Sequence, residues 1–452
     1  MREEDLERAI LEANNVLTKD ELERMVQAKL KTSPFLTRLG ALLIILEEQR
    51  LAAEFLKQRD YGFTKISSLT TGIQSVSVVG RTLGSRIVVG GDGKPSLRLR
   101  LWDGTAAVDV IVWENFDRLT QLQLGDVVAV RNGYVSSSRP GQEILLQAGS
   151  KSTVEKMREY EGLPPVDKAL FKLSNESRDK AGKRDVYAVV VLNTGVKKTS
   201  NGTDVCELVV TDGDRESLLI AWREWANFFS SVAEGQSFFA ASVEVKNGEL
   251  FTAKSTNITL AGKDDDLLSK AWQRGLTGLR VKVLGFGFDG LPAVTDGVKV
   301  MKMASPAVAD AGACNVVEKA FVIYRRGIPY VYGTKSTPAI CSIETPELKG
   351  SIEEVRGRLA EGVIDCVIAR KTPVSAVNTK YGQKRLTGFW ISFGGKTISC
   401  TAWGKASELM ENLAEGTNVR FAFPKVGKNK FGDIELSVDE LSFIEVLEKQ
   451  VK

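Results

Sequence analysis

A chain of 452 residues, 43% of them hydrophobic and 26% charged, has the composition of several folded domains of about 100–200 residues each, not of a disordered polymer. Its net charge of +4 makes the whole-molecule field weak, so any polyanion must be met by local clusters of Lys and Arg. The absence of histidine excludes Ser-His-Asp and Cys-His catalysis and histidine metal ligation, which argues against most familiar enzymes.

The five cysteines, Cys206, Cys314, Cys341, Cys366 and Cys400, are odd in number, widely spaced and without a C-x-x-C pair. Reduced, buried thiols are expected, because a zinc site takes four ligands usually arranged as close pairs. No metal and no cofactor are expected. No apolar run approaches the roughly 20 residues of a membrane span. Met1-Arg2-Glu3-Glu4-Asp5 is too acidic for a secretory signal. The expectation is a cytoplasmic protein with no membrane partner.

Residues 1–60 read as a helical segment. Thr18-Lys19-Asp20-Glu21 is a capping box, and Ser33-Pro34 supplies a second helix start. Leu36, Leu39, Leu42, Leu43, Leu46, Leu51 and Phe55 then form a broad apolar stripe. That stripe suits either a small bundle or a docking surface.

A first β-module spans about 62–155. Its centre, Leu97-Arg98-Leu99-Arg100-Leu101-Trp102, alternates strictly as a half-buried strand does. Asp103-Gly104 turns the chain into Ala107–Val112, which ends on Trp113, and Gly125 opens the next strand. Gly84–Pro95 is expected to be a flexible loop. The pattern recurs: nine residues separate Gly104 from Trp113, Gly213 from Trp222 and Gly394 from Trp403. A further glycine follows each tryptophan by 12 or 13 residues, at Gly125, Gly235 and Gly416. Such regularity marks tandem copies of one unit. The second copy spans about 163–262 and the last about 346–447. Residues 276–345 lack the nine-residue signature and are expected to form only a degenerate barrel. Five short strands with glycine turns and a connection after strand three suggest an OB-type barrel. The predicted fold is mainly β: tandem five-stranded OB barrels preceded by a small helical segment.

An OB barrel holds an extended strand across one face, between its strand one–two and four–five loops. Single-stranded nucleic acid suits that face, with bases stacked on rings and phosphates met by Lys or Arg. The cations placed there are Arg81, Arg98, Arg100 and Arg139 in module one and Lys197 and Lys198 in module two. The last module adds Lys380, Lys384, Arg385, Lys428 and Lys430. Trp113, Trp222 and Trp403 either cap the barrel cores or stand on the binding faces. Phe431, beside Gly432 at a loop tip, is a stacking candidate. Taken singly, each basic residue also suits a solvated surface; clustering in equivalent loops is the argument for a site.

Ser75-Val76-Ser77-Val78-Val79-Gly80-Arg81, the Leu101–Thr105 hairpin, Val110–Trp113 and Leu124-Gly125-Asp126-Val127-Val128 resemble the archaeal replication protein A family. Leu39-Gly40-Ala41-Leu42-Leu43 resembles the helical piece before its first barrel. The resemblance is best over 33–155, fair over the second and last modules and poor over 276–345. It implies a non-enzymatic, single-stranded DNA-binding protein of replication, repair and recombination, associated with the nucleoid. It also implies base stacking at Trp113, Trp222 and Trp403, and at Phe431 in the last module. Other replication or repair proteins docking on residues 1–60, and a homo-oligomer, stay open, as do an RNA-directed barrel protein and a protein-interaction scaffold. Some members carry a zinc ribbon, which the scattered cysteines here do not match.

Overall fold

The computed structural model describes residues 3, 6, 7, 10, 11, 17–32, 36–48, 63–90, 92–137, 144–170, 173, 182–199, 201–305, 307–308, 310–349, 351–355, 357–379 and 382–447. Among them no helix is long and apolar enough to cross a membrane.

Helix α1 (Lys19–Thr32) starts at the predicted capping box. The Thr18 amide donates to Glu21 Oε2 at 2.9 Å and the Glu21 amide to Thr18 Oγ1 at 3.3 Å. In helix α2 (Arg38–Glu48) Gly40 N–H is bonded to Thr37 Oγ1 at 3.2 Å; Ser33 and Pro34 lie outside the described residues. Leu22, Val26, Ala41, Leu42 and Ile45 join Leu6 and Ile10 in a core made of this segment's own residues. Leu51 and Phe55 lie outside the described residues. Thr18→Ala should cost α1 about 0.5–2 kcal/mol, read as faster amide exchange in its first turn with the barrels unchanged.

Barrel one consists of β1 (Val76–Val89), β2 (Pro95–Trp102), β3 (Ala107–Val112), β4 (Val127–Ser137) and β5 (Ile144–Ala148), with β6 (Thr153–Met157) added beside β4. The pairing order β1-β2-β3-β5-β4 closes back on β1, with β3 and β5 parallel. That is the OB circuit. Leu97, Leu99, Leu101, Val108, Val110 and Val112 fill its interior, as the alternation demands. The stretch expected to be a loop from Gly84 is strand as far as Val89. A register shift between Thr82 and Gly84 bends it, and Ser85–Val89 then pair with Pro95–Leu99.

Barrel two repeats the circuit with β7 (Gly182–Lys198), β8 (Asp204–Thr211), β9 (Glu216–Trp222), β10 (Gln236–Lys246) and β11 (Glu249–Phe251), with β12 (Asn257–Lys263) at its margin. Helix α3 (Glu224–Ser230) follows β9, and α4 (Asp265–Arg274) links onward, its first turn capped by Asp264. Residues 276–345, expected to be degenerate, form a closed circuit. Strands β13 (Leu276–Phe286), β14 (Pro292–Thr295), β15 (Val300–Ser305), β17 (Ile328–Gly333) and β16 (Cys314–Arg325) pair in that order, and β13 meets β16. A marginal strand, β18 (Ser336–Ala339), runs beside β16.

The third copy kept the turn and lost the tryptophan. Thr295-Asp296-Gly297 reproduces Thr211-Asp212-Gly213 bond for bond: each threonine Oγ1 accepts from the glycine amide, at 3.0 and 3.1 Å. Nine residues past Gly297 stands Pro306 instead of Trp. All four barrels share the second glycine. Gly125, Gly235, Gly312 and Gly416 have φ of 86°, 82°, 84° and 85°, where a Cβ would be strained. Each donates its N–H back to strand one, at 2.9, 2.8, 2.8 and 2.7 Å.

In barrel four, β19 (Gly357–Arg358) leads to β20 (Ile364–Lys371) and the ribbon β21 (Ser375–Thr379) with β22 (Gly382–Phe393). Strand β23 (Lys396–Trp403) and α5 (Lys405–Asn412) follow. The fourth barrel strand is broken at Phe423, φ 59°, into β24 (Asn418–Ala422) and β25 (Lys425–Lys428). These pair with β20 and β26 (Ile434–Val438) respectively; β27 (Phe443–Val446) lies beside β24.

The cysteine expectation holds for three residues and is corrected for two. Cys206, Cys366 and Cys400 are free and buried, and burial pushes the first two thiols up to about 11 and about 12. Cys314 and Cys341 form a disulfide, with Cα atoms 5.0 Å apart. Cys314 opposes Ala339 across β16 and β18, so the chain leaving β18 passes beside it. Spacing along the sequence does not reveal that pairing.

Candidate nucleic-acid interface

The outward face of strands two and three is where an OB barrel takes its ligand, and in three barrels the next barrel covers part or all of it. In barrel one, Arg100 is held between Asp109 at 2.9 Å and Asp185 of barrel two at 2.6 Å. Asp109 also accepts from Ser242 Oγ of barrel two at 3.2 Å. In barrel two, Val209, Leu218 and Ile220 share a core with Ile328, Tyr330 and Tyr332 of barrel three. In barrel three, Leu284, Ala293, Val300 and Ala304 pack with Ala422, Phe423 and Phe443 of barrel four. Lys302 is buried there, paired with Asp289 and 5.9 Å from the Phe423 ring centre. Burial lowers its ammonium pKa, and Asp289 opposes that shift.

Several predicted contact residues have partners within the protein. Arg100 is an inter-barrel ion pair and leaves the open face. Arg81 donates to Pro164 O at 2.9 Å and Gly125 O at 3.1 Å, and pairs with Glu159, fastening the linker after barrel one. Lys197 Nζ donates to Ala304 O of barrel three at 3.1 Å, and Lys198 pairs with Asp204 at 2.8 Å. Trp222 packs, half-buried, against the seam between barrels two and three. Arg385 reaches Glu411 at 3.0 Å. Arg139 and Lys380 lie outside the described residues.

In barrel four that face is open among the described residues. A groove of about 1070 Å³ runs over β22 and β23, lined by Trp390, Phe393, Lys396, Lys428, Phe431 and neighbouring polar groups. Trp390 stands opposite Ser399, while Phe389 and Ile391 on either side point into the core. The Arg370 guanidinium lies 5.3 Å from the Trp390 ring centre. At the far wall the turn bearing Phe431 is pinned: Asn429 Oδ1 accepts from the Phe431 amide at 2.9 Å and the Asp433 amide at 3.0 Å. Phe431 is left 76% exposed, with Lys430 Nζ 4.9 Å from its ring centre. The groove's own carboxylates are partnered. Glu353, its pKa lowered by its hydrogen bond to Lys396, pairs at 3.1 Å, and Asp433 accepts from Asn429.

Barrel one keeps a second, smaller open site. Trp113 is 40% exposed and donates Nε1–H to Gln147 Oε1 at 3.0 Å. Tyr134 OH donates to the same oxygen at 2.8 Å, which sets both rings around one amide. Arg98 lies 5.8 Å from the Trp113 ring centre. Its pKa is lowered by burial and then by Arg86, with Asp109 opposing. Trp403 is half-buried and lines a cleft of about 280 Å³ with Lys384, Arg326 and Arg358.

Trp390, Phe393, Arg370, Lys396, Tyr134 and Gln147 were not anticipated. Trp390 had a signal: a large aromatic on the outward parity of strand two, between inward Phe389 and Ile391. Tyr134 and Gln147 come to Trp113 only through the β4–β5 pairing, where Tyr134 opposes Gln147.

No protein-family model matches the chain, and no curated protein matches it. Solved structures with similar folds include a replication protein A heterotrimer bound to ssDNA, with TM-score 0.36 and 10% identity over 85% of this chain and 96% of that one. The second OB-fold domain of replication protein A from Methanococcus maripaludis matches 23% of this chain and 98% of its own, at 20% identity and TM-score 0.19. The Ifi202 HINa domain in complex with 20-bp dsDNA matches 42% of this chain and 98% of its own, at 11% identity and TM-score 0.30.

Proposed function

We propose that this protein binds single-stranded DNA with little regard to sequence, as a non-enzymatic coat during replication, repair and recombination. The open groove of barrel four carries the reading: Trp390, Phe393 and Phe431 offer rings, and Arg370, Lys396, Lys428 and Lys430 stand around them. Unpaired bases present π-faces that a duplex hides, and any base can stack. The barrel-one site around Trp113 and Arg98 is a second contact of the same kind. With the faces of barrels two and three covered, fewer strand contacts follow than four independent barrels would make.

Fluorescence anisotropy with labelled oligonucleotides tests this. Affinity should fall with salt at a log–log slope near −3.5, the value for about five neutralised phosphates on a single strand. A matched duplex should compete poorly. Preference for duplex, or no binding at low salt, would refute the assignment; a clear preference for RNA would shift it to an RNA-directed protein. Trp113→Ala should weaken binding by about 1–3 kcal/mol without lowering the melting temperature, since a ring so exposed contributes little to the core.

A further inference from the structure

Between barrels two and three lies a cleft of about 1060 Å³ that belongs to neither barrel's strand two–three face. One wall is the β8–β9 turn of barrel two, with Arg215 and Glu216; the other is the β16–β17 hairpin of barrel three, with Tyr324 and Arg326. Arg274 from α4 and Lys299 from the β14–β15 turn complete it. Four cations thus face one carboxylate, and that carboxylate is taken: Arg274 binds Glu216 at 2.5 Å and braces on Gly213 O at 2.9 Å. Tyr324 is 60% exposed, with Lys299 Nζ 6.0 Å from its ring centre.

Core packing does not account for that exposed ring. Its neighbour Arg325 turns inward to Glu207 and Glu249, which aims the hairpin tip, and Arg326 at the tip is exposed with φ 50°. Arg326 also lines the cleft that holds Trp403 and Lys384. Arg326 therefore joins the two clefts, with Lys299 on one side of it and Lys384, beside the carboxylates Asp439 and Glu440, on the other. Ring and cations in one open cleft are what a single strand requires.

We infer that this seam is a further single-strand site, in which a base stacks on Tyr324 while phosphates engage Arg326 and Lys299, with the Trp403 cleft as its continuation. The inference rests on the single-strand reading above but needs different residues. It makes the barrel two–three junction part of the DNA path even though both barrels' outward faces are covered.

The test uses the full-length protein and two oligonucleotides, one of about 8 nucleotides, enough for one barrel, and one of about 40. The double variant Tyr324→Ala with Arg326→Glu should leave binding of the short one unchanged. Affinity for the long one should fall at least about fivefold, the lower end for one lost stack. Lys299→Gln with Arg326→Gln should reduce the long oligonucleotide's salt slope by about 1.4, for two phosphates on a single strand. Tyr324→Phe, which keeps the ring, should restore the long-oligonucleotide affinity lost in Tyr324→Ala. If long-oligonucleotide affinity and slope are unchanged while Trp390→Ala still weakens the short one, the seam site is wrong and the barrel-four reading stands. If the native protein binds neither oligonucleotide, both fail together.

Discussion

Arg325→Ala is expected to loosen the joint between barrels two and three by about 3–5 kcal/mol, the usual consequence of leaving a buried charge without its partner. Arg325 donates to Glu207 at 2.7 Å and Glu249 at 2.5 Å, and to the Tyr332 hydroxyl at 3.1 Å. The three charged side chains are 21%, 17% and 8% exposed, so solvent cannot take over from the lost guanidinium. Burial disfavours the Arg325 cation, yet Tyr332, Glu207 and Glu249 more than reverse this and its pKa is raised. Removing it strands two carboxylates beside fully buried Tyr332. Differential scanning calorimetry should show a lower melting temperature and a separated transition. Adding Glu207→Gln and Glu249→Gln should recover much of the loss, because neutral amides cost less to bury than unpaired anions. A change under about 1 kcal/mol in the single variant would mean that the seam is wetter than described, as for an exposed pair.

Trp390→Ala and Phe431→Ala should each weaken single-strand binding by about 1–3 kcal/mol, roughly 5- to 150-fold in Kd. Phe431 is pre-positioned by its Asn429 turn, so its loss should appear mainly in the dissociation rate. Neither ring is a core residue, so the melting temperature should stay put. The two rings line one groove, so the double variant should fall short of the sum of the singles. If Trp390→Ala unfolded barrel four while Phe431→Ala left binding intact, the groove would be a packing surface and the single-strand reading would lose its main support.

Much of this arrangement is legible in residue order. Alternation at Leu97–Trp102, the turn glycines and the second glycine of each copy predict the barrels, because strand periodicity and positive φ are local demands. The third barrel was within reach too. Thr295-Asp296-Gly297 matches Thr211-Asp212-Gly213, although Pro306 stands where the other copies have tryptophan. The strands of barrel two also carried a hint. Leu218–Trp222 is apolar on both parities, as strands buried on both faces are, while Leu97–Trp102 and Leu386–Phe393 keep a polar or aromatic outer row.

What residue order left open is which outward faces meet water. A period of two separates inside from outside within a strand, but nothing local says what stands beyond the outside. Arg100 reads as a free cation until Asp185, 85 positions away, arrives beside it. Lys197 and Trp222 look like ligand contacts until barrel three brings Ala304 O to the lysine and packs against the ring. Residue order thus determined the kind of barrel and three of its copies. Their stacking decided that barrel four offers the open groove, because burial of an outer face depends on partners that only the folded chain brings together.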